Sequence, residues 1–79
     1  MNLDNIRYKR IHERGYIFDS RTGDVYLLNE TASIIVEGIL NNNLDECINN
    51  ILNEYEIDED VLRKDVADIR SALEGICER

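Results

Sequence analysis

The stretch Gly23-Asp24-Val25-Tyr26-Leu27-Leu28-Asn29-Glu30-Thr31-Ala32-Ser33-Ile34-Ile35-Val36 changes its hydrophobic period in mid-course. Up to Leu28 it reads as a strand, with β-branched and aromatic residues following a glycine that is free to take positive φ. From Asn29 onward it reads as a helix. Asparagine is a good N-cap, and Ala32, Ile35, Val36, Ile39 and Leu40 form an apolar stripe at spacings of three and four.

Working backward, two further strands are predicted, about Ile6–Ile11 and Tyr16–Asp19, with the third at about Asp24–Leu28. Gly15 is expected to separate the first pair. Ser20-Arg21-Thr22-Gly23 separates the second, with Gly23 supplying the positive φ of a short hairpin loop. Two hairpins in succession make a three-stranded antiparallel meander. Its last strand, Val25-Tyr26-Leu27-Leu28, is apolar on both faces. Since a sheet with one wet face alternates, a partial cover over the second face is predicted.

Working forward, Asn41-Asn42-Asn43 ends the first helix, and Asn43 with Glu46 has capping-box spacing for the next. Leu44, Cys47, Ile48, Ile51, Leu52 and Tyr55 supply the second apolar stripe. Asp58 caps a third helix, whose early Glu59 and Asp60 suit the positive end of the helix dipole. Leu62, Val66, Ile69, Leu73 and Ile76 alternate spacings of four and three, a packing seam. Gly75 falls where a left-handed C-terminal residue is common. The predicted fold class is α+β, a winged-helix-like βββααα arrangement. Residues 1–79 form one domain, with strands over about 6–28 and helices over about 30–76.

A chain of 79 residues has room for one small core and not for a dinucleotide-binding or barrel enzyme fold. No apolar run approaches the roughly 20 residues of a membrane span, and the start of the chain lacks signal-peptide features. Two cysteines, Cys47 and Cys77, fit a reducing, cytoplasmic setting better than a disulfide framework. Charge is unevenly spread: residues 1–23 carry +2 and residues 24–79 carry −10, within a total of −8. Most of the surface would repel a phosphate backbone, so nucleic acid is not expected as a partner.

Catalytic chemistry finds little support. His12 stands alone, and Cys47 reads as a small buried hydrophobe with Cys77 incidental, so no metal, cofactor or nucleophile site is expected. Tyr8, Tyr16, Phe18 and Tyr26 read as strand-stabilising rings rather than a base-stacking platform. The spacing of Glu59 with Arg63 and of Arg70 with Glu74 predicts pairs within the helix. The third strand ends its meander, leaving an edge that can accept an extended peptide as an added strand. The same edge can self-associate, which keeps a homodimer open.

The run Thr22–Ala32, above all Leu28-Asn29-Glu30-Thr31-Ala32, resembles the strand-to-helix signature of PqqD-like proteins, the RiPP recognition elements. Leu44-Asp45-Glu46-Cys47-Ile48 resembles the family's second helix. Asp65-Val66, Leu73 and Gly75-Ile76 resemble its third, so the likeness spans roughly residues 14–77. The resemblance implies a non-catalytic module that binds the leader segment of a precursor peptide by strand addition. It implies delivery to a modifying enzyme, such as a radical SAM maturase or a leader peptidase. Carried onto this chain, the peptide site would comprise Val25, Tyr26, Leu27 and Leu28 with the exposed side of Leu62, Val66, Ile69, Arg70 and Leu73. Asn41-Asn42-Asn43 departs from the family pattern, which often has a glycine-containing turn there. Two other readings are a winged-helix DNA-binding regulator and an enzyme-subunit adaptor without peptide specificity.

Overall fold

The computed structural model describes residues 3–77. Three strands, β1 (Ile6–Ile11), β2 (Arg14–Asp19) and β3 (Val25–Leu27), precede three helices, α1 (Glu30–Asn41), α2 (Leu44–Glu54) and α3 (Glu59–Cys77). The sheet is antiparallel in the order β1-β2-β3, so β3 lies at an edge. This is the predicted α+β βββααα arrangement.

The pleat sorts the sheet's side chains into two faces. The register aligns Ile6 with Asp19 and Tyr8 with Ile17, and Ile17 in turn with Tyr26, on the face toward the helices. Ile6, Ile17 and Asp19 are buried there. The opposite face carries the rows Arg7–Phe18–Val25 and Lys9–Tyr16–Leu27. Val25 is 56% exposed and Leu27 78%, so among the described residues none covers the second face of β3 as predicted. The reason is that the buried residues of the sheet all lie on its helical side.

Two buried clusters form the core. Ile6, Ile17 and Val36 meet Leu73, Ile76 and Cys77 between sheet and helices. Ile35, Ile48, Ile51 and Leu62 meet between the three helices. Ile39 and Ile69 pack against both clusters and join them. Cys77, read as incidental from sequence, is thus a core residue, while Cys47 is only partly buried.

Several local expectations change. Gly15 does not separate β1 from β2; it lies within β2, and the turn is His12-Glu13. His12 takes φ 57, as the first loop residue of a primed hairpin turn must. Gly15 is needed for space, since a Cβ there would lie 2.5 Å from the Tyr8 hydroxyl. Gly23 does take positive φ, at 80°. Asn29 caps α1 as predicted, accepting from the Ala32 N–H at 2.8 Å. Asn43 makes no such bond for α2, so the predicted capping box does not form. Asn42 instead ends α1 in the left-handed region, at φ 58, filling the role of a turn glycine. Gly75 lies inside α3, which runs on to Cys77, so it is not the left-handed residue expected.

Candidate functional site

β3 presents an open backbone edge. The Asp24 carbonyl accepts from Asp19 N–H at 2.9 Å, and Leu28 N–H donates to the Gly15 carbonyl at 3.0 Å, both toward β2. Antiparallel ladders alternate their bonding direction residue by residue, so the N–H and C=O of Val25 and Leu27 point away from β2 to the free side. A strand added there would lie about 4.8 Å beyond β3. Its side chains would alternate between the bare face beside Val25 and Leu27 and the helical side beside Tyr26 and Leu28.

On the helical side Tyr26 and Leu28 pack against the core cluster to which α3 contributes Leu73 and Ile76. At about 100° per residue, Leu62, Val66, Ile69 and Leu73 share the core-facing seam. Leu62 is 0% exposed and Leu73 2%, so the exposed side expected of these two does not exist. They are core side chains that hold α3 in place from beneath. Val66 and Ile69 are half-buried and reach the surface beside them. Arg70 is exposed but lies roughly 80° around the helix from Leu62, and Asp65 lies roughly 60° in the opposite direction. The hollow that Arg70 lines is formed mainly by residues 38–46 around the α1–α2 turn, with Leu3 and Glu74, and includes no residue of β3. Arg70 is therefore separated from the other expected site residues. No bond joins it to Glu74 among the described residues, whereas Arg63 does pair with Glu59 at 3.1 Å.

The β3 side of α3 carries residues that the sequence reading left out of the site. A hollow of about 250 Å³ opens where β3 runs into α1, lined by Asn29, Thr31, Ala32 and Ile35 of that segment and Asp65, Asp68 and Ile69 of α3. Val61 and Ala72 lie on the same flank of α3 by helical spacing, and Val61 is 52% exposed. The available signal was the spacing of Val61, Asp65, Asp68 and Ala72, but periodicity alone cannot say which flank of a helix meets the sheet edge.

Polar ties hold the strand-to-helix junction rigid around this edge. Ser33, fully buried in α1, accepts from Gly15 N–H at 2.7 Å and donates to the Asn29 carbonyl at 2.7 Å. Arg14 reaches the Leu28 carbonyl at 3.1 Å. Tyr8 donates to Glu37 on α1, and burial, with that bond second, pushes its phenol up to about 12. Tyr55 at the end of α2 donates to Glu30 at the start of α1, and that bond raises its phenol to about 12. Burial likewise pushes the Cys47 thiol up, with Glu46 and Glu37 adding to the effect. A raised thiol is the opposite of an activated nucleophile. Among the described residues, no group of three or more His, Cys, Asp or Glu is placed to hold a metal ion. No helix there is long and apolar enough to cross a membrane.

Known proteins give two kinds of match. The family model for coenzyme PQQ synthesis protein D (PqqD) matches residues 14–75. The fold is similar to that of TbiB1 in complex with the TbiA(beta) leader peptide, with a TM-score of 0.76 and 22% identity over 91% of this chain and 85% of that one. It is also similar to lasso peptide synthetase B1 complexed with the leader peptide, with a TM-score of 0.72 and 23% identity over 94% and 88%. No curated protein matches the sequence. The family match covers most of the chain and includes the strand-to-helix signature at Leu28–Ala32, β3 and most of α3, so this chain belongs to the PqqD-like family, the RiPP recognition elements.

Proposed function

We propose that this protein binds the leader segment of a ribosomally made precursor peptide and presents it to a separate modifying enzyme, without itself catalysing a reaction. The observation that carries this reading is the open edge of β3, two apolar residues wide, leading into a hollow between the start of α1 and α3. Membership of the PqqD-like family supports it, as do leader peptides bound to two proteins of similar fold. In this reading the leader becomes a fourth strand. Backbone bonds to Val25 and Leu27 supply affinity, and contacts with Tyr26, Leu28, Val66 and Ile69 supply choice of sequence. Leu62 and Leu73 contribute by fixing α3, not by contact. A radical SAM maturase or a leader peptidase is the class of enzyme such a module would serve, in the cytoplasm.

The test is an amide-resolved NMR titration with leader segments of short peptides encoded beside this gene. Saturable shifts concentrated at residues 24–28 and 62–73 are expected. Val66→Arg should cut affinity at least tenfold while the spectrum stays that of a folded protein, because a long charged side chain would fill the groove. Unmoved amides with every leader tried, in a folded sample, would remove the reading. The acidic balance of residues 24–79 opposes the DNA-binding alternative.

A further inference from the structure

We infer that the groove beside β3 selects a bound strand carrying a lysine or arginine, received in the hollow between the start of α1 and the middle of α3. This rests on the strand-addition reading above and adds the charge of the ligand.

The size and lining of the hollow point to a long amphipathic side chain. About 250 Å³ is several times the roughly 30 Å³ share of a water molecule, yet below the roughly 300–1,000 Å³ of small-molecule pockets. Ala32, Ile35 and Ile69 give it an apolar floor, while Asp65 and Asp68 stand on its α3 side. Lysine and arginine have the matching form, an apolar stem with a cationic head that stays near water. A glutamate there would meet two like charges.

The positive features nearby must be weighed against the two carboxylates. The N-terminus of α1 contributes about half a positive charge that fades within the first turn. It is already partly occupied, since Asn29 accepts from Ala32 N–H. Lys64 stands four residues before Asp68, but no ion pair joins them, or involves Asp65, among the described residues. Arg63 is engaged with Glu59, and Arg70 lines the other hollow. Arg14 donates to the Leu28 carbonyl one residue before Asn29, but neither it nor Lys64 lines the hollow, so within the lining two full negative charges face one partial positive charge. The position also suits a bound strand, because Asn29 lies only two residues beyond Leu27, where the edge of β3 ends.

The experiment measures binding of the whole protein to positional pools of blocked decapeptides, each pool fixing Lys, Gln or Glu at one position within otherwise mixed uncharged residues. Lysine pools at one or two positions should bind about three- to tenfold more tightly than glutamine pools, with glutamate pools weakest. The preference should shrink as salt is raised. The double variant Asp65→Asn, Asp68→Asn should bind lysine and glutamine pools equally and keep the affinity of the wild type for glutamine pools. Glu74→Gln, which removes one negative charge on the opposite flank of α3, should leave the preference intact, whereas Asp65→Asn or Asp68→Asn alone should reduce it. Binding of all pools with no preference for lysine, or an equal loss in Glu74→Gln, overturns the charge selection and leaves strand addition standing. Absence of binding by every pool to folded protein overturns both.

Discussion

Gly15 shows how tightly single residues are fixed around the β3 junction. The Tyr8 ring lies over its Cα, and Tyr8 is held there by Glu37. Gly15→Ala should push that ring aside and lower stability by about 1–3 kcal/mol, read as an earlier denaturant midpoint with unchanged slope. Tyr8 itself makes a pH prediction. Its phenol titrates at about 12 in the folded protein against 10.0 ordinarily, so folding favours the neutral form. That contribution is complete below pH 10.0 and is lost as pH rises through about 12. Stability should therefore fall across this interval, and Tyr8→Phe should flatten the fall in chemical denaturation series. Ser33 belongs to the same junction. The bond it donates to the Asn29 carbonyl is local to the start of α1, whereas the one it accepts from Gly15 N–H exists only because β2 packs against the helix.

The elements divide by whether their placement depends on local or distant contacts. The apolar stripes of α1, α2 and α3 and the Asn29 cap are local patterns, and each reappears in the structure near its predicted limits. Turn positions were less legible. Gly15 looked like a turn residue because glycine punctuates strands, but its small size serves contact with a ring seven residues away in sequence. The edge of β3 is the element with a consequence for binding. Since the Leu27 N–H points outward, Leu27→Pro removes a donor to an incoming strand without breaking a bond to β2. Leader affinity should fall about tenfold, the worth of one hydrogen bond at the upper end of the usual range, measured by calorimetry on a variant whose melting is near that of the wild type. Unchanged affinity would mean that the peptide does not pair with β3. At the other end of the sheet, Arg21 donates to the Ile76 carbonyl at 2.7 Å and lies 3.8 Å from the buried Asp19 carboxylate. That contact ties the β2–β3 loop to the last turn of α3.

For the molecule as a whole, the two core clusters are small, and Ile39 and Ile69 join them. Ile39→Ala should weaken both at once and cost about 2–4 kcal/mol. It should do so in a single unfolding transition seen alike by circular dichroism and fluorescence, and two separated transitions would show that the clusters melt independently. The choice of Ile39 leaves the β3 side of α3 unaltered, so peptide binding by the folded fraction should persist. Charge also acts at this scale. The −10 of residues 24–79 includes Asp65 and Asp68, which stand beside the groove, while the positive residues of the meander include Arg7 and Lys9 on the opposite sheet face.

The sequence by itself determined the order of elements, the two hairpins, the helix stripes and the family, because strand and helix periods and the Leu28–Ala32 signature are properties of neighbouring residues. Tertiary structure decided which surfaces remain open. It buried Leu62 and Leu73, set Arg70 beside the α1–α2 turn, and brought Asp65 and Asp68 to the hollow at the start of α1. The physical reason is that a period fixes which residues share a helix face, whereas the rotation of that helix against the sheet is set by packing of side chains distant in sequence.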